Sequence, residues 1–217
     1  MNSIKYITLT VLFFGGIVAC SQNTNSDGQT TTNNTKMEQA KQEVATFGSG
    51  CFWCTEAVFQ QLEGVISVKP GYSGGKRPNP TYEQVSSGAT GHAEVTQIIY
   101  NPDIISFADL LEVFWKSHDP TTLNRQGADV GTQYRSVIFY HDEKQKEIAE
   151  QYKQKLNEAN AFEKQVVTEI TALEKFYPAE DYHVNYYNNN KNAPYCTFVI
   201  QPKVDKIRQV FKDKIKK

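Results

Sequence analysis

The sequence predicts an α+β domain in which helices cover a mostly antiparallel sheet, and three observations lead there. Strand-like and helix-like stretches are mixed without the strict alternation that a parallel βαβ array requires. Of 217 residues, roughly the first 40 differ in composition from everything after them, leaving about 175, enough for one domain with its own core. Hydrophobic residues make up 39% and the formal net charge is -1. That balance suits a soluble fold and offers no basic stripe of the kind that nucleic acid demands.

Taken in order, Glu43 to Phe47 reads as a short strand from its β-branched and aromatic content. Gly50 breaks it, and from Cys54 to Leu62 the apolar side chains Ala57, Val58 and Leu62 have helical spacing. Val65 to Tyr72 is the next strand, running into Ser73-Gly74-Gly75, and Pro78 to Glu83 is a loop closing on a short helix. Gly91-His92-Ala93-Glu94 leads into a strand over Val95 to Tyr100. Ser106 to Trp115 follows a helical period with Ser106 as its cap, and Asp119-Pro120-Thr121-Thr122 ends that segment. Beyond the polar stretch Leu123 to Gln133, the pattern predicts a strand over Tyr134 to Tyr140, a charged amphipathic helix over Asp142 to Leu156 and a strand over Val166 to Ala172. A closing helix is expected over Val204 to Ile215, with the Lys-rich end Lys203 to Lys217 as its solvated face. Tyr177 to Pro194, rich in Asn and Tyr, shows no periodicity and reads as a long C-terminal loop region, functional or mobile. No internal repeat is present.

The N-terminus carries an address. Lys5 precedes a mostly apolar run from Tyr6 to Ala19, too short to span a bilayer of ~30 Å as a helix and of signal-peptide type. It ends in Ile17-Val18-Ala19-Cys20, which resembles a bacterial lipobox whose cysteine becomes lipidated. Residues 1–20 are therefore expected to be a lipoprotein signal peptide, 21–42 a polar, flexible tether and 43–217 the folded domain. The expected location is extracytoplasmic, anchored to a membrane through the lipid on Cys20 alone; a non-lipidated secretory signal is the plainer alternative.

Gly50-Cys51-Phe52-Trp53-Cys54 sets a cysteine between a glycine turn and two aromatics. Cys51 is expected at a helix N-terminus, where unpaired N–H groups and the partial positive charge would lower its pKa. Buried Cys, Phe and Trp as ordinary core residues are the alternative. With Cys20 assigned to the anchor, Cys51, Cys54 and Cys196 remain, an odd number that describes no disulfide framework. The four histidines have no spacing that pairs with the Cys-x-x-Cys to hold zinc. To this point the chain permits thioredoxin-like disulfide exchange or another thiol reaction.

Six motifs then carry a resemblance: Gly50-Cys51-Phe52-Trp53, Pro70-Gly71-Tyr72-Ser73-Gly74-Gly75, Asn79-Pro80-Thr81-Tyr82, Gly91-His92-Ala93-Glu94, Asp119 to Gly127 and Asp129 to Ser136. In this order they resemble the peptide methionine sulfoxide reductase family, A type, over about Glu43 to Lys203. The resemblance implies a ferredoxin-like αβ core and reduction of the S epimer of methionine sulfoxide, free or in proteins. A thioredoxin-like oxidoreductase would explain only the Cys-x-x-Cys, and no proline loop stands opposite it; a non-catalytic binding lipoprotein would leave the motifs unused.

The resemblance also implies roles. Cys51 is the expected nucleophile, becoming a sulfenic acid. Glu94 matches the family's catalytic glutamate and would deliver a proton to the departing oxygen, which needs a raised carboxyl pKa. Tyr82 and Tyr134 match tyrosines that hydrogen-bond the sulfoxide oxygen. Phe52 and Trp53 would wall the S-methyl group, and Asp129 would give orienting or electrostatic support. Cys54, one helical turn from Cys51, is the expected resolving cysteine, with Cys196 a second resolver or a bystander. No metal or organic cofactor is expected, only an external thioredoxin-like thiol reductant, and the protein is expected to be a monomer.

Overall fold

The structure, a computed structural model, describes residues 41–217. The signal peptide and Cys20, and the tether up to residue 40, lie outside the described residues. Six strands form one sheet in the order β7-β6-β1-β3-β2-β8. They are β1 (Glu43–Ser49), β2 (Val65–Ser73), β3 (Ala93–Tyr100), β6 (Ser136–Tyr140), β7 (Glu169–Ala172) and β8 (Tyr177–Pro178). Every pairing in this sheet is antiparallel except β6 with β7, in line with the mostly antiparallel sheet expected from the order of strand-like and helix-like stretches.

The topology follows from two interleaved crossovers. Helix α1 (Phe52–Phe59) joins β1 to β2, which lie on either side of β3. Helix α3 (Phe107–Ser117) joins β3 to β6, which lie on either side of β1. Split in this way, the central four strands take the ferredoxin-like arrangement. Helix α4 (Glu143–Glu158) then returns the chain to β7 beside β6.

Three helices have a local, side-chain reason to start. Ser106 and Asp109 form a capping box at α3, and Asp142 accepts the Gln145 N–H at α4. The short α2 (Tyr82–Ser86) is capped by Thr81 with Gln84 answering, which places Tyr82 at its first turn. Helix α1 has no side-chain cap, and seven of its eight residues are buried; its stability comes from tertiary burial rather than propensity. Helices α1, α3 and α6 (Gln201–Val210) pack together over one face of the sheet. The core there holds Ala45, Phe47, Ile98, Tyr100, Leu110, Leu111 and Phe114.

Alternation along β3 decides where its one carboxylate goes. Ile98 and Tyr100 face the helices, while Ala93 and Val95 join Val137 and Phe139 on the opposite face. With a period of two, Glu94 shares the helix-side face.

Several sequence expectations are corrected. Tyr177 to Pro194 is not a long loop: it contains β8, a 3₁₀ turn (Asp181–His183) and α5 (Tyr186–Asn189). Each piece is too short to show a period; β8 pairs with β2, and polar contacts tie Glu180, His183 and Asn185 to distant elements. The polar stretch before β6 folds into a small hairpin of β4 (Arg125–Gln126) and β5 (Asp129–Val130). Tyr134 belongs to a 3₁₀ turn (Thr132–Tyr134) ahead of β6 rather than to the strand. β7 starts at Glu169, not at Val166. The last helix is preceded by a π-helical turn (Cys196–Ile200) and ends at Val210, after which Ile215 bridges back to Leu62.

Candidate active site

Gly50 makes the turn from β1 into α1. Its φ is +90°, and a Cβ there would lie 2.6 Å from the Gln126 Cβ, so only glycine fits the backbone and the space. Cys51 follows as the N-cap of α1, its carbonyl accepting from the Cys54 N–H at 3.1 Å and the Thr55 N–H at 3.3 Å. The next N–H, of Phe52, donates to Glu94 Oε2 at 3.0 Å. The sheet and the helix terminus are thereby joined through one carboxyl group.

In front of Cys51 lies a cavity of about 190 Å³ lined by Cys51, Phe52, Trp53, Tyr82, Glu94, Asp129, Tyr134 and Tyr195. Seven of these eight are the residues singled out from the sequence, drawn from α1, α2, β3, β5 and the turn before β6. A groove of about 1000 Å³ lies elsewhere, along β7 and α4 beside Arg135 and Lys153, and no cysteine lines it. Among the described residues no group of three or more His, Cys, Asp or Glu is placed to hold a metal ion.

Burial sets the electrostatics. Glu94 is 2% exposed, and loss of solvent pushes its pKa up to about 8 against the pull of the Phe52 N–H, with Asp129 adding to the rise. At neutral pH it is mostly a carboxylic acid. One oxygen is spent on the backbone and the other is left for the cavity. Burial also raises Tyr82 and Tyr134, with Glu94 next among the causes, so both remain phenols that can donate.

The thiols depart from the sequence expectation. Cys51 was expected to have a lowered pKa; instead burial, then its hydrogen bond with Cys54 and the neighbouring Cys54 and Glu94 charges, raise it well above the ordinary thiol value. At the helix N-terminus the Phe52 N–H is directed to Glu94 rather than to the thiol. Cys54 moves the other way, to about 7, chiefly through the hydrogen bond from Cys51 and against its own burial, with Lys203 helping. The pair gives up its first proton readily and holds the second, since two thiolates in one buried site repel.

Cys54 and Cys196 do not line the cavity, yet both share an apolar cluster with Cys51, Ala57, Ile200 and Val204. All three cysteines are free and buried. The turn Cys196–Ile200 carries Cys196 there and places Tyr195 beside the cavity. The Tyr195 hydroxyl donates to Asp129 Oδ2 at 2.7 Å and lies 3.9 Å from Cys54 Sγ. Sequence reasoning missed Tyr195 although it adjoins Cys196; the only signal was that adjacency.

Behind the cavity stands a group that sequence reasoning also missed. Glu180 accepts the Tyr82 N–H and the Tyr72 hydroxyl, both at 2.8 Å. His183 accepts from Trp53 Nε1 at 3.1 Å. Tyr186 stacks on Trp53 with centroids 3.7 Å apart and planes 6° from parallel. On α1, the buried Glu56 accepts the Asn185 N–H at 2.8 Å. All of these partners come from the segment read as an aperiodic loop.

Comparison with known proteins gives a consistent result. A family model described as peptide methionine sulfoxide reductase matches residues 43–215. A peptide methionine sulfoxide reductase MsrA of Sulfolobus acidocaldarius is 59% identical over 176 residues, covering 79% of this chain and 97% of the relative. One from Leptospira borgpetersenii is 56% identical over 164 residues, covering 76% of this chain and 92% of the relative. Among solved structures, Mxr1 of Saccharomyces cerevisiae in reduced form is 33% identical with a TM-score of 0.66, covering 73% of this chain and 91% of that one. Methionine sulfoxide reductase A of Corynebacterium diphtheriae is 36% identical with a TM-score of 0.63, covering 70% of this chain and 77% of that one.

Proposed function

Because the chain belongs to the peptide methionine sulfoxide reductase family and is a thiol-dependent oxidoreductase of that kind, we propose that the cavity at Cys51 reduces the S epimer of methionine sulfoxide. The observation that carries this reading is a buried carboxyl, Glu94, its pKa raised by loss of solvent, facing the same small cavity as a thiol and two phenols.

The chemistry follows from what each group holds. The sulfoxide oxygen accepts from Tyr82 and Tyr134, which favour the polarised S–O bond. Glu94 gives its proton to that oxygen as the Cys51 sulfur attacks the sulfoxide sulfur, and the Cys51 proton returns to the Glu94 carboxylate. The oxygen passes to Cys51 as a sulfenic acid and methionine leaves. The substrate sulfur gains the two electrons that the Cys51 sulfur loses. Phe52 and Trp53 hold the methyl group, and Asp129 fixes the Tyr195 hydroxyl at the rim.

Turnover requires the sulfenic acid to condense with a second thiol, releasing water. Cys54 fits best, being in contact with Cys51 and the thiol with the lowered pKa. Cys196, in the same cluster and fully buried, is the second thiol within reach of an exchange before a thioredoxin-like dithiol reduces the disulfide. The apolar run up to Ala19 and the lipobox-like Ile17 to Cys20 support repair of oxidised proteins outside the cytoplasm, with the lipid on Cys20 as anchor. Among the described residues no helix is long and apolar enough to cross a membrane.

The test is product formation from separated S and R epimers of a methionine sulfoxide peptide with dithiothreitol as reductant. Reduction of the S epimer alone is expected, and equal reduction of both would overturn the assignment of the cavity.

A further inference from the structure

We propose that His183 is a positioning residue that fixes the Trp53 indole and thereby the fit of the S-methyl wall, an inference that rests on the methionine sulfoxide reading above. His183 is 1% exposed and lies behind the cavity rather than in it. Its ring centroid is 4.9 Å from Phe52, 4.5 Å from Tyr82 and 5.7 Å from Trp53. One imidazole therefore touches three of the residues that line the cavity.

The hydrogen bonding fixes its state. Indole nitrogen is a donor only, so Nδ1, 3.1 Å from Trp53 Nε1, must carry the lone pair and Nε2 the proton. Nε2 has no hydrogen-bond partner among the described residues, and the nearest carboxylate oxygen, Glu180 Oε2, is 3.9 Å away. A buried N–H left unpaired is a cost. Phenylalanine would fill the same space without it, so packing alone does not account for histidine here. What histidine adds is the acceptor for the indole. With Tyr186 stacked on one face of Trp53 and His183 holding its nitrogen, the indole keeps one angle against the cavity. Burial lowers the pKa of His183, with Glu180 acting the other way, so the acceptor is present at neutral pH.

The experiment compares His183→Phe, which keeps a ring but removes the acceptor, with His183→Asn, whose amide oxygen falls near the position of Nδ1. For His183→Phe, KM for the S-methyl sulfoxide peptide should rise about fivefold, the size of one net hydrogen bond, with a smaller fall in kcat. Its preference for the methyl over the ethyl sulfoxide should shrink, and His183→Asn should restore both. Of the two tryptophan indole N–H resonances, the one lost in Trp53→Phe should move in His183→Phe and stay near its wild-type position in His183→Asn. Unchanged KM, selectivity and indole resonance in His183→Phe would overturn the proposal. If that variant does not fold, acid titration of the wild-type protein replaces it: the Trp53 resonance must shift together with the His183 ring protons, and independence of the two would overturn the proposal equally. Failure of the wild-type protein to reduce either sulfoxide would sink the functional reading alone, since the indole resonances report without turnover.

Discussion

As the proposed acid, Glu94 meets two opposed demands. A general acid at neutral pH needs a carboxyl that keeps its proton, and the fold supplies this by burying it. That burial has a cost with a definite sign. Because the folded pKa, about 8, lies above the ordinary 4.5, the contribution of Glu94 to stability is fully present below 4.5 and is lost as pH rises to about 8. Glu56, raised from 4.5 to about 7 by burial, loses its contribution in the lower part of the same window. Glu94→Gln should lower the single-turnover rate by about 10²- to 10⁴-fold, as expected for loss of a positioned acid. Thermal denaturation of the same variant should show higher stability than wild type above about pH 8, by up to a few kcal/mol. An active Glu94→Gln enzyme, or one whose stability has the wild-type pH dependence, would contradict this account. At Cys51, Ser should abolish oxygen transfer with any reductant, measured as methionine released per enzyme.

At the scale of elements, the site depends on how α1 begins. Gly50 is the one position where the chain turns in the left-handed region with Gln126 against it. Gly50→Ala should cost about 1–3 kcal/mol of stability and displace Cys51 from Glu94, visible as a fall in the alkylation-sensitive burst of product. The segment from Ala179 to Tyr187 acts as a strap: its backbone and side chains reach α1, α2 and β2 through Glu180, His183 and Asn185. Glu180→Leu removes the acceptor for both Tyr72 and Tyr82. It should destabilise the protein by about 1–3 kcal/mol and raise KM more than it lowers kcat, because Tyr82 is held by its backbone there. Denaturant midpoints and steady-state kinetics on one preparation separate the two effects.

Across the whole molecule, the interleaved crossovers bring positions 51, 94, 129 and 195 to one end of the sheet's helix-covered face, and the C-terminal turn closes the cluster of three thiols. After one equivalent of substrate, peptide mapping of the wild-type protein should recover Cys51 linked to Cys54. Cys54→Ser should slow disulfide formation, while Cys196→Ser should retain it and lose turnover mainly with a thioredoxin-like reductant. The reverse pattern would make Cys196 the first resolver. The proposed anchor is checked separately: labelled fatty acid should be incorporated by the full chain and not by Cys20→Ser.

The motifs named the family and, through what that resemblance implies, seven of the eight cavity residues; the α+β class was legible on its own, because turn glycines, caps and periodic apolar positions are local and can be read locally. Tyr195, Glu180, His183 and Glu56 were not legible. Their partners are far away along the chain, as with Tyr195 and Asp129 or His183 and Trp53, and no short-range pattern encodes such pairs. The ionisation of the site was also beyond the sequence. A helix N-terminus alone argues for a lowered Cys51 pKa, and only the folded molecule shows that burial outweighs it and that the Phe52 N–H is given to Glu94. Helix starts depend on neighbours in sequence, whereas desolvation depends on everything that surrounds the group, and that is decided when the chain has folded.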